Sequence, residues 1–257
     1  MPLHFDTPAG LALIFVAGFI ASAINAVAGG GTLISYPTMV GLGLADRIAN
    51  ATNAVALWPG SLSGAWGFRE HLAKVKKHLF FLLPSTILGS IAGSLLLVIT
   101  KEELFKIIVP FLILLATLLL AGQDRIKAWT QKSGLHLPLW GAAILQFFVA
   151  VYGGYFGAGM GIMMLGIMSL YVDGDMNALN AVKNWLAVVI NLGASIILFS
   201  KGLVSWMPCL ALMSGALLGG YGSARLSQKV DPKKLRVVVV VYGIGMSLFY
   251  MYRVLSG

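Results

Sequence analysis

Acidic side chains are scarce in this 257-residue sequence, nine Asp and Glu against eighteen Lys and Arg, and charged residues make up only 11%. A soluble domain carries about 25% charged residues, so a surface wetted on every side is excluded. The single cysteine, Cys209, excludes an intramolecular disulfide and a cysteine metal cluster. All nine acids (Asp6, Asp46, Glu70, Glu102, Glu103, Asp124, Asp173, Asp175, Asp231) fall in polar stretches or at the ends of apolar runs, and so do His4, His71, His78 and His136. No carboxylate or imidazole is thus expected deep in a membrane to relay protons or hold a metal. That disfavours a cation substrate, a carboxylate-centred proton pump, and an intramembrane enzyme, which needs a nucleophile with a base or a metal set. No metal, catalytic residue or cofactor is expected. "MPLHFDTPAG" has no basic region before the first apolar run, so no cleaved signal peptide is expected. No polar stretch exceeds roughly 15 residues, which leaves no room for a separate soluble domain.

What is present is apolar: 58% of residues are hydrophobic. Runs of about 17–25 residues recur along the length, the signature of many spanning helices. The fold class is an all-α integral membrane protein with a single transmembrane domain. Apolar runs predict a broken segment at 8–44 and helices near 48–68, 78–99 and 104–121. A polar linker spans 122–136, followed by a second broken segment at 137–171 and helices near 178–199, 203–222 and 234–255. The net charge of +9 sits in short loops, as the positive-inside rule requires of a membrane protein, rather than in a nucleic-acid surface. Basic stretches at 69–78, 122–136 and 223–236 are then cytoplasmic, "TKEE" at 100–103 and "SKG" at 200–202 lie outside, and both termini are extracytoplasmic. Each broken segment returns to the side it left and is followed by three crossings. Residues 1–121 and 137–257 therefore form two repeats of opposite orientation, each a re-entrant helical hairpin plus three helices, joined by a cytoplasmic linker. Inverted repeats of this kind belong to secondary transporters. "GFIASAINAVAGGGTL" at 18–33 aligns with "QFFVAVYGGYFGAGMG" at 146–161, and "NATNAVALWPGSLSGA" at 50–65 with "NAVKNWLAVVINLGAS" at 180–195.

The glycine clusters, "GGG" at 29–31 and "GAGMG" at 157–161, interrupt apolar runs at equivalent places. Non-helical backbone survives at membrane depth only inside protein or beside a water-filled cavity. A helix that restarts after a break aims amide groups and its positive dipole end at whatever lies beyond, an arrangement that binds anions. The bland alternative is close packing of small residues. A nucleotide loop does not fit, because no strand precedes either cluster.

Polar stripes follow. At 100° per residue, Asn177, Asn180, Asn184 and Asn191 fall within about 60° of one another. Asn50, Asn53, Ser61 and Gly64 share a face of the sister helix, which carries Pro59 at mid-length. Lys183 lies about one turn into its helix, placed either to snorkel to the interface or to contact an anion. Trp58, Trp66, Trp140 and Trp206 read as interfacial belt residues, with Trp58 also within reach of a cavity. The candidate substrate-binding set is Asn25, Gly29, Gly30, Gly31, Thr32, Asn53, Trp58, Ser61, Gly157, Gly159, Lys183, Asn184 and Asn191.

"INAVAGGGTLISYP", "NATNAVALWPGSLSGAWGFRE" and "NAVKNWLAVVINLGASIILF" together resemble the TauE/SafE family of membrane permeases along nearly the whole chain. The resemblance implies a bacterial or archaeal inner-membrane protein that exports small sulfur-containing anions such as sulfite or sulfonates. Several neutral donors suit a sulfonate, whose oxygens spread in three directions. An anion channel or facilitator on the same architecture is the alternative. The expected partners are a small anion and the lipid bilayer, not nucleic acid, with a homodimer as a guess from the habit of inverted-repeat transporters.

Overall fold

A computed structural model describes residues 4–27, 30–73, 75–132, 138–171, 176–226 and 232–256. They fold into helices without a strand among them: α1 (Pro8–Val27), α2 (Thr32–Gly41), α3 (Asp46–Gly67), a single turn α4 (Arg69–Leu72), α5 (Lys76–Ile99) and α6 (Glu102–Lys132). Then come α7 (Leu139–Tyr155), α8 (Met160–Met168), α9 (Met176–Ser200), α10 (Trp206–Leu226) and α11 (Pro232–Ser256). Within these helices, Pro8–Asn25, Lys76–Ile99, Glu102–Ile126, Asn177–Ser200 and Arg236–Ser256 are long and apolar enough to cross a membrane. Both apolar runs containing a glycine cluster are broken, the first between α1 and α2 and the second between α7 and α8.

One boundary differs from the sequence expectation. The polar stretch from 122 is helical as far as Lys132, as an extension of α6. Charge ends a helix's burial in lipid, but nothing in "QDRIKAWTQK" ends the helix itself, since Gln, Arg, Lys and Ala are all good helix formers. Arg236 at the start of α11 clasps this extension, its Nη2 donating to Asp124 Oδ2 at 2.6 Å.

The molecule is apolar outside, and inside it small and polar side chains stand among apolar ones. Phe80, Leu88, Ile99, Phe111, Phe148, Val241 and Tyr252 are all more than half exposed, as are Trp66, Trp140 and Trp206, whereas Thr86, Ser90 and Ser94 of α5 are fully buried. Without a hydrophobic drive between helices in lipid, association comes from close backbone approach and interhelical hydrogen bonds. Two seams show it. A Cβ on Gly219 of α10 would stand 2.0 Å from the carbonyl oxygen of Phe19 on α1, and one on Gly93 of α5 would stand 2.0 Å from that of Val151 on α7. In both places only glycine lets the backbones touch.

The packing pairs cross between the halves of the chain. α1 lies on α10 and α5 on α7; α10 also packs on α3, and α5 on α9. α3 meets α9, and α6 meets α11. Exchanging α1, α2, α3, α5 and α6 for α7, α8, α9, α10 and α11 turns α1–α10 into α5–α7 and α3–α10 into α5–α9, and leaves α3–α9 and α6–α11 as they are.

Candidate functional site

α3 and α9 cross at the middle, and both helix breaks point toward that crossing. They enclose a cavity of about 30 Å³ lined by Ser22, Asn25, Gly30, Thr32, Asn53, Ala54, Leu57, Gly60, Ser61, Phe156, Gly157, Met160, Gly161, Lys183, Asn184, Ala187 and Asn191. Nine of the thirteen residues singled out by sequence therefore share one wall. Of the other four, Trp58 is half-buried outside the lining, Gly31 sits against α1, and Gly159 packs on Ala116 of α6. Gly29 lies outside the described residues.

The two breaks are braced differently. In the first, the side-chain oxygen of Asn25 accepts from the amides of Gly30 and Gly31, at 2.9 and 2.7 Å. Those amides were expected to face an anion; instead they are already engaged by the chain's own side chain. Gly31 has ordinary helical φ and must be glycine for another reason, since a Cβ would stand 1.9 Å from the carbonyl oxygen of Ala21. In the second break, Gly159 adopts φ +76° at the N-cap of α8, a left-handed conformation natural to glycine. Here a hydroxyl does the bracing, Tyr152 Oη donating to the carbonyl of Ala158 at 2.6 Å.

Several cavity side chains also hold the fold. Asn53 donates from Nδ2 to Thr32 Oγ1 at 3.3 Å and accepts from Ser35, which pins α2 to α3. Ser61 returns its hydroxyl to the carbonyl of Leu57 on its own helix. Lys183 is 1% exposed, and its Nζ donates to the backbone oxygen of Asn25 at 3.3 Å. That contact carries the ammonium from α9 to the rim of the first break, so the snorkelling alternative is overturned. Asn184 Nδ2 is buried and has no acceptor among the described residues. A buried amide left without a partner costs about 1–3 kcal/mol, so it marks a place where an acceptor oxygen is wanted.

The asparagine stripe of α9 divides. Asn184 and Asn191 face the cavity, while Asn177 is exposed and Asn180 lies outside the lining. On α3, Asn50 turns away and donates to the carbonyl of Tyr155 at 2.7 Å. The sequence reading missed Ser22, Gly60 and Phe156. Gly60 was the most legible of them, because it follows the mid-helix Pro59. It also underestimated one acid: Asp46 begins α3, as its position suggests, yet is 1% exposed, accepting from Tyr36 Oη at 2.9 Å. Among the described residues, no group of three or more His, Cys, Asp or Glu side chains is placed to hold a metal.

Known proteins match this chain over more than nine tenths of its length. A "Probable membrane transporter protein" of Haemophilus influenzae is 29% identical over 94% of both chains. "Probable membrane transporter protein ORF9" of a Sinorhizobium species is 29% identical over 93% of this chain and 91% of its own. "Probable membrane transporter protein YfcA" of Escherichia coli is 24% identical over 97% and 93%. No solved structure matches the chain. The profile of the family described as "Sulfite exporter TauE/SafE" fits residues 14–250, from within α1 to within α11 and across both breaks, so the chain belongs to the TauE/SafE family of membrane transporters.

Proposed function

We propose that this protein is a secondary transporter that exports small sulfur-containing anions, sulfite and sulfonates such as sulfoacetate, by alternating access at the central cavity. The observation that carries the reading is the cavity's chemistry. Neutral hydroxyl and amide side chains line it together with one buried lysine, and no carboxylate is among its described lining residues. An oxyanion offers acceptors in several directions at once, which matches the Asn184 amide and the Lys183 ammonium rising from one helix. An ionisable side chain buried at this depth is costly and marks substrate pathways by default.

The size of the space favours moving walls over an open pore. At about 10–15 Å³ of such space per water, a cavity of about 30 Å³ holds only two or three waters. A hydrated anion passes only when the helices part. Because the packing pairs cross the halves, the moving bodies are α1 with α3 and α10, and α5 with α7 and α9, sliding at the α3–α9 contact. The topology goes with this reading: inverted repeats over 1–121 and 137–257, both termini extracytoplasmic, in a bacterial or archaeal inner membrane.

The test is calorimetric titration of the purified protein with sulfite, sulfate, sulfoacetate, taurine and simple carboxylates, followed by flux in proteoliposomes. A sulfur oxyanion should bind and show saturable counterflow. Asn184→Ala and Lys183→Gln should each weaken that binding at least tenfold, while thermal unfolding stays cooperative. Unchanged affinity in both variants removes the cavity from the mechanism, and ohmic, unsaturable current replaces the transporter with a channel.

A further inference from the structure

A second cavity lies a short way from the first. About 560 Å³ in volume, it opens between α3, α6 and α11, with Asp46, Glu103, Lys106, Tyr250 and Arg253 in its wall. Two aromatic rings stand in sequence between the cavities. Phe156, from the second helix break, lines the central cavity. Its ring meets that of Tyr36 edge-on, with centroids 5.5 Å apart and planes at 76°. Tyr36, one turn beyond the first break, in turn lies 6.0 Å from the ring of Tyr250 at 28°. Each break thus contributes one ring to the partition.

The partition is fastened on one side only. Tyr36 Oη donates to Asp46 Oδ1 at 2.9 Å, and Asp46 Oδ2 faces Arg253 Nη1 at 3.6 Å without a hydrogen bond. Tyr36 is wholly buried, whereas Arg253 is about half exposed in the outer cavity. The ring packs on Phe156 and Tyr250, and its polar fastening is one hydroxyl to a carboxylate whose other oxygen meets a half-solvated cation, a contact that can be released. The opposite wall of the central cavity is different: Met160 and Ala187 belong to an aliphatic cluster with Leu79, Leu82, Met164 and Ile190. Tyr36 and Phe156 lie in a hydrophobic cluster of their own with Leu33, Met39 and Phe105, and what sets their side apart is the hydroxyl-to-carboxylate latch.

The geometry points to Tyr36 and Phe156 as a gate, latched by Asp46 and Arg253, and to the 560 Å³ cavity as the vestibule through which the central cavity opens to that face. The inference rests on the transporter reading for its purpose but not for its test. When Tyr36 leaves Asp46, its ring moves away from Phe156 and the two cavities join. Asp46 then keeps Arg253 as its partner, so releasing the latch strands no buried carboxylate.

The experiment needs no substrate. In a Cys209→Ala background, Ala54→Cys places one thiol on the wall of the central cavity. Its rate of reaction with a membrane-impermeant methanethiosulfonate is measured from each face of sealed vesicles. Tyr36→Phe, which removes a single oxygen, and Asp46→Asn should each raise the rate at least tenfold from the face bearing Glu103 and Arg253, with no change from the other. Phe156→Ala should raise it further. An unchanged rate in Tyr36→Phe and Asp46→Asn, or an equal rise from both faces, overturns the gate. If Phe156→Ala fails to insert, Tyr36→Phe decides the question, and a protein that binds no sulfur anion still reports on the gate through its thiol.

Discussion

Asn50 of α3 donates from Nδ2 to the carbonyl oxygen of Tyr155, the last residue of α7, at 2.7 Å. The bond joins the first-half helix that lines the cavity to the place where the second-half helix breaks. A helix that stops inside a bundle leaves carbonyls without intrahelical donors, and this side chain supplies one.

Asn50→Ala should therefore lower stability by about 1 kcal/mol. That value lies between the modest average for hydrogen bonds within membranes and the larger penalty for an orphaned buried acceptor. For a chain of this size the expected change is about 2–4 °C in the unfolding midpoint, read by thermal unfolding in detergent. A midpoint equal to the wild type would mean that water takes over the Tyr155 carbonyl.

Asn25 allows two of its roles to be separated. Its oxygen accepts from two glycine amides while its backbone oxygen accepts from Lys183. Asn25→Asp keeps the acceptor but adds negative charge at the cavity wall. It should preserve the unfolding midpoint and weaken anion binding at least tenfold. Asn25→Ala should lower both. Titration calorimetry and thermal unfolding of the two variants side by side check this; equal anion affinity in Asn25→Asp and wild type would place the bound anion elsewhere.

The glycine seams give a contrast on the scale of the whole fold. Gly93→Leu and Gly219→Leu drive a side chain into a facing backbone and should abolish accumulation of folded protein. Gly245→Leu on α11 meets nothing within 4 Å and should be neutral or slightly stabilising, since leucine is the better helix former. Monodispersity on size-exclusion chromatography distinguishes them. A monodisperse Gly93→Leu protein would show that α5 and α7 can separate.

Much of the cavity could be read from the sequence because lipid simplifies the code. Three glycines in an apolar run, or a lysine and asparagines on one helical face, have few bland explanations at that depth, and Lys183, Asn184 and Asn191 do line the wall. What could not be read depends on contacts between distant residues. The capture of the Gly30 and Gly31 amides by Asn25 is a matter of local side-chain rotation that no periodicity records. Asp46 sits at a helix start, where acids are ordinary; its burial comes from α2 and α11 packing over it. The α6 extension to Lys132 is not legible in the charge pattern, because charge marks the end of the apolar stretch and not the end of the helix. Trp58 was misplaced because adjacency to Pro59 says nothing about the direction in which an indole points.

The α1–α10 seam also sets the order of assembly. The face of α1 at Phe19 leaves the ribosome long before Gly219 of α10, which lets the two backbones meet, and α7 must likewise slip against the Gly93 of an α5 that is already made. A chain that stops before α10 keeps α1 on α2 and α3 but lacks the helix that α1 packs against most closely.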